Sequence, residues 1–523
     1  MFEGPPENSQ KSQPVRFAYR GLATRVFLFF LVLYIALTRG HFWNVDEIAV
    51  YQQTRSLWEQ GSLATAPLFI ARTGRDGQPY SVFGAGQSVL ALPLYGLGKL
   101  THAILQKAGA NDAIRILAGP VLGENPDQRW GGEVEIWFVN LFNAFATAGL
   151  CAVYFSFCAR LGATPRWALA AALLLGTTSY AAGVSTNFFQ HSAESLLVLW
   201  SFYFLFCDAQ NPSWRPRLWA GLAAGVMIFV RITGALALPA LGLYLLWGIW
   251  KRRNPEWSLD RFTWYAVAEC LPFAAPVALG LLATAAVNYS KFGAFNLAGG
   301  FIHIQRFDAS LWVSLYGYLF SPGGSIFVFT PLLLLAPWYF REFVSRNRPE
   351  TLTVFGIAAA YVVFCGKITG WHSQWSFGIR HLTPLVPLLL LPLAGWLKNL
   401  RGRSWEPVGV LALAGLWVQL LQLLVNPSYV YHHERYSNFQ PPYSYLFIPG
   451  VSQVVAHGRA LLAWDFRVDF WLLNVYRLAG VDAYLLITGV LLGMLYYCLR
   501  KMRGDLYRAE RTAERAKVAL KST

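Results

Sequence analysis

Long apolar runs separated by short basic loops constrain this chain more than any other feature. The sequence of 523 residues is 55% apolar and only 13% charged. Several runs hold about 18 or more nearly uncharged residues, which is the length that crosses a hydrocarbon core. A backbone inside lipid must satisfy its own polar groups, and helices do so within one segment. The sequence therefore predicts an all-α polytopic membrane protein.

Positive charge lies in the loops between these runs and in the C-terminal tail. A formal net charge of +16 would suggest nucleic acid in a soluble domain, but this distribution is typical of cytoplasmic loops. The six cysteines lie within apolar runs and lack the close pairing of a zinc or redox motif. We therefore expect membrane lipids as partners, no nucleic acid, and cysteines that pack as small core residues.

The basic residues also give a topology. Residues 1–20 are expected to form a cytoplasmic tail, so the first span carries the chain to the outer face. The apolar run 84–105 is rich in Gly and Pro, which suits an interfacial or re-entrant helix better than a span. If the run 84–105 does not cross the membrane, every later basic cluster is cytoplasmic and the first outer loop covers 39–133. We predict about twelve spans with both termini inside.

Two adjacent carboxylates, Asp46 and Glu47, follow the first span directly. Charges at a membrane boundary have to face water or a ligand. Asp46 also precedes an amphipathic stretch, Ile48 to Gln60, so capping of that helix is an alternative to chemistry. Both roles are compatible if one carboxylate caps the helix while the other faces a cavity.

Polar groups inside later apolar runs are the next candidates. His191 and Glu194 lie on successive turns of one predicted helix start, and Glu194 needs a partner or a wet cavity. Arg231 has apolar neighbours on both sides, and phosphate is its natural ligand because the planar guanidinium binds phosphate bidentately. A structural pair between Arg231 and Glu194 is the alternative.

The outer loops supply further candidates for one cavity at the membrane edge. Arg72 is expected to meet either an anionic headgroup or solvent, and Tyr80 follows it in the first loop. Later loops add basic and aromatic side chains: His303, Arg306, His372, Trp375, Arg380 and His381. Together these residues predict a cavity with acidic, basic and aromatic walls.

The arrangement of these residues resembles the GT-C class of polyprenyl-phosphate-dependent glycosyltransferases, in particular protein O-mannosyltransferases and lipid A aminoarabinose transferases. The resemblance rests on short motifs: Asp46-Glu47, Asp76 to Ser81, the polar loop before span four, Arg231, His303 to Phe307, and Phe377 to Arg380. It implies Asp46 as the general base. The further catalytic residues are then Glu47, His191 and Glu194, and the substrate or phosphate ligands are Arg72, Tyr80, Arg231, Arg306 and Arg380.

Two positions depart from the family pattern. The second acid expected before the fourth span is represented by His191 and Glu194. The basic residue expected before the interfacial helix is absent from Ser81 to Phe83. The arginines at 231, 306 and 380 then have to share phosphate binding.

The resemblance implies a membrane enzyme that moves a hexose or pentose from a polyprenyl phosphate to a hydroxyl of a lipid, glycan or protein acceptor, with inversion. We expect its site on the periplasmic side of a bacterial inner membrane. An O-antigen polymerase or ligase, and a transporter or flippase of lipid-linked sugars, are the alternatives, although no inverted repeat favours transport. A divalent metal held by Asp46, Glu47, His191 and Glu194 stays open.

Topology and resemblance together divide the chain. The predicted parts are a cytoplasmic tail at 1–20, a GT-C-like transmembrane catalytic module at 21–400, C-terminal spans at 401–499 and a basic cytoplasmic tail at 500–523. The C-terminal spans include an outer loop at 426–480. This loop is expected either to bind the acceptor or to cover the cavity.

Overall fold

A computed structural model describes residues 13–119, 131–373, 376–463 and 470–521. Nearly all regular structure in these ranges is helical, and the strands β1 (Ala71–Thr73) and β2 (Pro79–Ser81) form one antiparallel hairpin. The α-helices are α1 (Gln13–Leu37), α2 (Val45–Gln60), α3 (Gly86–Leu90), α4 (Leu92–Lys107), α5 (Asn111–Ala118), α6 (Val134–Asn140), α7 (Phe142–Arg160), α8 (Pro165–Thr178), α9 (Tyr180–Gly183), α10 (His191–Gln210), α11 (Trp214–Val230), α12 (Leu238–Lys251), α13 (Leu259–Phe292), α14 (Leu311–Phe320), α15 (Ile326–Phe329), α16 (Ala336–Arg346), α17 (Arg348–Lys367), α18 (Leu385–Leu389), α19 (Leu393–Leu397), α20 (Glu406–Leu424), α21 (Pro427–His433), α22 (Gln453–Leu462) and α23 (Trp471–Lys521). Short 3-10 helices connect them at Val184–Thr186, Ile232–Ala237, Gly299–His303, Pro331–Leu335, Arg380–Leu382, Gly402–Trp405, Tyr436–Asn438, Ser444–Phe447 and Pro449–Val451.

Within the described residues, seven helices are long and apolar enough to cross a membrane. They are Val134–Arg160, His191–Gln210, Ile232–Lys251, Leu259–Phe292, Arg348–Lys367, Glu406–Leu424 and Trp471–Thr512. An eighth results if Pro165–Thr178 and Tyr180–Thr186, bent by 54°, form one span, and shorter apolar helices lie at Gly21–Leu37, Leu311–Phe320 and Leu385–Leu397. The all-α polytopic class is confirmed. The full number of crossings stays a prediction, because several expected spans, such as α11 with its 17 residues, are short.

The apolar run 84–105 forms α3 and α4, which meet at Ala91. The longer of the two has 16 residues, a length of about 24 Å and less than a hydrocarbon core requires. It packs against α2 and α6 instead, with Gly96 against the ring of Trp58 in α2 and Gly98 against the backbone of Glu135 in α6. The expected interfacial helix is therefore present in the first outer loop.

Small residues let α11 and α13 approach closely. A Cβ added at Gly225 would overlap the carbonyl oxygen of Pro276, and one added at Gly280 would overlap that of Gly225. In lipid, such backbone contact supplies the van der Waals attraction that holds helices together. Because α11 ends at Val230, this contact fixes the position of the next residue, Arg231.

A network of ion pairs connects α10, α11, α12 and α13 at the end of the bundle away from His191. Asp208 at the end of α10 accepts from Arg217 of α11 at 2.9 Å and lies 3.3 Å from Arg252, next to α12. Arg217 also lies 2.8 Å from Glu269 of α13. Since α10 begins at His191, Asp208 is about 26 Å from that residue along the helix. The network thus holds these four helices together at the end of the bundle away from His191.

Candidate functional site

A cavity of about 540 Å³ opens among the first outer loop, the start of α10 and the loops at 301–305 and 369–381. Seven of the residues predicted for the cavity line it: Asp46, Arg72, His191, Arg231, His372, Arg380 and His381. The folded chain thus assembles one site from positions more than 300 residues apart.

The start of α2 separates the roles of the two adjacent carboxylates. Asn44 caps the helix by accepting from the backbone N–H of Asp46 at 2.9 Å. Glu47 is fully buried and accepts from the backbone N–H groups of Trp43 and Asn44, each at 3.1 Å, and of Phe188 at 2.6 Å. Burial raises the pKa of Glu47 to about 7, against the opposing effect of these donors. Glu47 therefore serves the cap and joins α2 to the loop before α10, whereas capping by Asp46, the alternative reading, is wrong.

Asp46 faces the cavity and pairs with Arg380. The distance from Asp46 Oδ2 to Arg380 Nη2 is 2.7 Å, and the guanidinium lies over the ring of Phe189 at 4.5 Å from its centroid. Arg380 Nε and Nη1 are buried and have no hydrogen-bond partner among the described residues. Arg380 thus lines the cavity while two donor groups of its guanidinium have no partner in the described part of the chain.

Arg231 and Glu194 form the ion pair that sequence analysis gave as an alternative to phosphate binding. Arg231 Nη1 donates to Glu194 Oε2 at 2.9 Å, and the other carboxylate oxygen accepts from Thr233 at 2.7 Å and Tyr361 at 2.8 Å. Glu194 is fully buried and has donors on both oxygens, which favours the structural pair over a catalytic role. Arg231 remains at the wall of the cavity, where its Nη2 also contacts His381 Nδ1 at 3.1 Å.

Two histidines bring unpaired nitrogens to the cavity. His191 is buried and neither of its ring nitrogens has a hydrogen-bond partner among the described residues. The same holds for Nδ1 of His372, and burial lowers the pKa of His372 to about 4. Both rings line the cavity, and the hydroxyls of a ligand could supply the partners that these nitrogens lack.

A buried lysine from another helix contacts the segment Ser81 to Phe83, in which the sequence has no basic residue. Lys291, in the last turn of α13, is fully buried and its Nζ donates to the carbonyl oxygens of Ser81 at 2.9 Å and Phe83 at 2.8 Å. Phe83 lines the cavity. Sequence analysis missed this residue because a lysine at the end of a long apolar helix resembles an ordinary helix terminus.

The remaining predicted ligands do not all reach the cavity. Tyr80 donates to Asp76 at 2.7 Å inside the β-hairpin and does not line the cavity. Arg306 is exposed outside it, and only its backbone is held, by Thr369. Arg72 lines the cavity but donates to the carbonyl oxygens of Phe69 and Ala71. The side chain of His303 and the whole of Trp375 lie outside the described residues.

The four residues considered as metal ligands do not form a metal site in the described part of the chain. No group of three or more His, Cys, Asp or Glu side chains is arranged there to hold a metal ion. Of the four residues considered for it, Glu47 and Glu194 already accept hydrogen bonds from the protein on both of their oxygens. That leaves Asp46 and His191, fewer than the three or four protein ligands of a zinc site.

Comparison with known proteins gives one family match. Residues 132–279 match a family model described as dolichyl-phosphate-mannose-protein mannosyltransferase. The matched segment includes the loop of His191 and Glu194 and extends through Arg231 into α13. This match supports a membrane glycosyltransferase of the GT-C class. The sequence matches no curated protein.

Two solved structures are similar to this chain at low identity. ArnT from Cupriavidus metallidurans in the apo state is 18% identical, with a TM-score of 0.46 over 91% of this chain and 74% of that one. Arabinosyltransferase EmbB from Mycobacterium smegmatis is 14% identical, with a TM-score of 0.39, and the match covers 91% of this chain and 42% of that one. At this level of similarity neither structure identifies a substrate for this chain.

Proposed function

We propose, from the match of residues 132–279 to dolichyl-phosphate-mannose-protein mannosyltransferases, that this chain transfers a sugar from a polyprenyl-phosphate donor to an acceptor hydroxyl. The reaction takes place at the outer face of the membrane. One observation carries the proposal. In a cavity of about 540 Å³, Asp46 lies 2.7 Å from Arg380, whose other two nitrogens are buried and unpaired.

Asp46 is the general base of the proposed reaction. The acceptor oxygen attacks the anomeric carbon, the bond from that carbon to the phosphate oxygen breaks, and the acceptor proton passes to the Asp46 carboxylate. A single displacement of this kind inverts the configuration of the sugar. His191 and His372, with unpaired ring nitrogens on the cavity wall, bind sugar or acceptor hydroxyls.

Arg380 and Arg231 bind the departing lipid phosphate. Negative charge on the phosphate grows as the glycosidic bond breaks, and guanidinium groups already fixed in place stabilise that charge without reorganising. Arg231 is held by Glu194, and Arg380 by Asp46 and Phe189. Arg72 lines the same cavity and adds a third positive charge.

Apolar groups at the same cavity suit a polyprenyl chain. Phe83, Phe301 and Ile304 line it, and so does Phe69, whose side chain is 85% exposed. An exposed phenylalanine beside arginines fits a ligand with a charged head and an apolar tail. This composition favours a lipid-linked donor over a soluble nucleotide sugar.

The C-terminal outer loop contributes to the cavity through Pro442, while the other lining residues belong to the proposed catalytic module at 21–400. This contact favours a role for the loop 426–480 at the cavity edge. With the basic loops in the cytoplasm, the site faces the periplasm of a bacterial inner membrane.

The test is turnover by the purified full chain. It is incubated with a panel of polyprenyl-phosphate hexoses and pentoses, with and without lipid, glycan and protein acceptors, and release of the polyprenyl phosphate is measured. Acceptor-dependent release from at least one donor is expected. Release only from polyprenyl-pyrophosphate oligosaccharides would instead indicate a polymerase or ligase, and release from neither class would contradict the proposal.

A further inference from the structure

His381 joins the guanidinium of Arg231 to the backbone. Its Nδ1 lies 3.1 Å from Arg231 Nη2, and its Nε2 lies 3.2 Å from the carbonyl oxygen of Gly370. The ring is among the groups that line the cavity. Sequence analysis placed His381 near this cavity without a role.

These two contacts determine the protonation of the ring. A guanidinium only donates hydrogen bonds and a carbonyl oxygen only accepts them. Nδ1 must therefore be unprotonated to accept from Arg231, and Nε2 must carry the hydrogen that is donated to Gly370. His381 is held as this one neutral tautomer.

The surroundings of the ring oppose its protonation. Arg231, Arg380 and His372 act on the ring electrostatically, and the His191 ring lies 5.8 Å away. The carboxylates of Glu194 and Asp46 pair with the two arginines and not with the ring. Burial, followed by the two guanidinium charges, keeps the pKa of His381 well below its ordinary range. The bond to Gly370 acts in the opposite direction and does not reverse this effect.

We propose that neutral His381 is a positioning residue that holds Arg231 in place for the donor phosphate. This inference rests on the proposed function. Glu194, from α10, holds Nη1 of Arg231, and His381, from the turn at Arg380–Leu382, holds Nη2. The guanidinium is thus fixed from two sides while it still faces the cavity, which lowers the ordering cost of binding an anion.

Two amide substitutions separate positioning of Arg231 from simple anchoring of the loop. In His381→Asn the side-chain oxygen lies near the position of Nδ1 and can accept from Arg231. In His381→Gln the amide nitrogen lies near the position of Nε2 and can donate to Gly370, but Arg231 loses its acceptor. Each variant therefore keeps one of the two contacts.

The readouts are the Kd of undecaprenyl phosphate for the purified full chain in detergent, measured by calorimetry, and the donor KM and kcat where turnover is present. For His381→Gln we expect Kd and donor KM to rise about tenfold, the effect of one charge-assisted hydrogen bond, and kcat to fall as well, because Arg231 also stabilises the charge that grows on the departing phosphate. For His381→Asn we expect both values within about threefold of the wild type. The thermal midpoint of each variant is measured alongside.

If His381→Asn bound undecaprenyl phosphate more weakly than His381→Gln, the contact with Gly370 would matter more than the contact with Arg231. That result would overturn the inference. Equal behaviour of both variants and the wild type would overturn it as well. Undecaprenyl phosphate binding needs no turnover, so a chain that binds this lipid with the expected ranking but transfers no sugar contradicts the proposed function and supports the positioning role. A wild type that does not bind the lipid contradicts both.

Discussion

Asp46 and Arg380 meet as an ion pair, with Asp46 Oδ2 2.7 Å from Arg380 Nη2, although one follows the first predicted span and the other precedes a late one. The pair uses one nitrogen of the guanidinium and leaves Nε and Nη1 buried without partners among the described residues. A buried guanidinium with unpaired donors is stabilised by an anion. The pair therefore joins the proposed base to the proposed phosphate site.

Replacing Arg380 by lysine keeps the charge and removes the planar fork. We expect the donor KM to rise by about tenfold to a hundredfold, because one or two charge-assisted hydrogen bonds are lost. Arg115→Lys is the matched control, since Arg115 is exposed on α5 and, among the described residues, pairs with the exposed Asp112. Donor KM is measured with a labelled polyprenyl-phosphate sugar, and an equal response of the two variants would argue against phosphate binding by Arg380.

Removing the Glu194 carboxylate leaves Arg231 without its ion-pair partner, although the contact with His381 remains. Glu194→Ala is expected to lower the free energy of unfolding by about 3–5 kcal/mol, the usual effect of breaking a buried pair. Glu194→Gln keeps acceptor and donor groups for Thr233 and Tyr361 and should be destabilised less. Thermal or denaturant unfolding in detergent checks this order, and an alanine variant as stable as the wild type would mean that the pair contributes little.

Lys291 connects α13 to the wall of the cavity. Lys291→Met leaves the carbonyl oxygens of Ser81 and Phe83 without their donor, at a stability cost of about 1–3 kcal/mol. We expect faster amide hydrogen exchange over residues 79–90 and weaker donor binding. Lys107→Met, on the exposed end of α4, is the control. Unchanged exchange over 79–90 in Lys291→Met would contradict the anchoring role.

The first outer loop is expected to lose stability in acid through Glu59 of α2. Although partial burial opposes the shift, hydrogen bonds from Tyr95, Lys99 and Arg55 lower the pKa of Glu59 from 4.5 to about 2. A carboxylate whose folded-state pKa is depressed adds stability above its unfolded pKa, and this contribution is lost as the pH falls from 4.5 towards 2. Thermal midpoints across this range should therefore fall more steeply in the wild type than in Glu59→Gln. Parallel curves for the two proteins would exclude this contribution.

Much of the fold follows from the sequence because lipid leaves a backbone few options. Apolar runs predict the helices, and the Gly- and Pro-rich run at 84–105 predicts the interfacial α3 and α4. The number of spans is harder to predict, because a helix such as α11, with 17 residues, is near the minimum length for a crossing.

The site is predictable only in part, because side-chain direction depends on tertiary contacts. Sequence analysis proposed both Arg306 and Arg380, and only the fold distinguishes the exposed arginine from the one that lines the cavity. It considered both a ligand role and a structural pair for Arg231, and the structure contains the pair. Lys291 reaches Ser81 across 210 positions of sequence, and no local pattern indicates such a contact.

The most direct test of the account is Asp46→Asn in the purified chain, with release of polyprenyl phosphate as the readout. Asparagine cannot accept the acceptor proton, so we expect turnover to fall by about 100-fold or more. Undecaprenyl phosphate should bind at least as tightly, because Arg380 loses its competing carboxylate. Asp112→Asn, an exposed aspartate on α5, should behave as the wild type. Full turnover by Asp46→Asn would contradict the account.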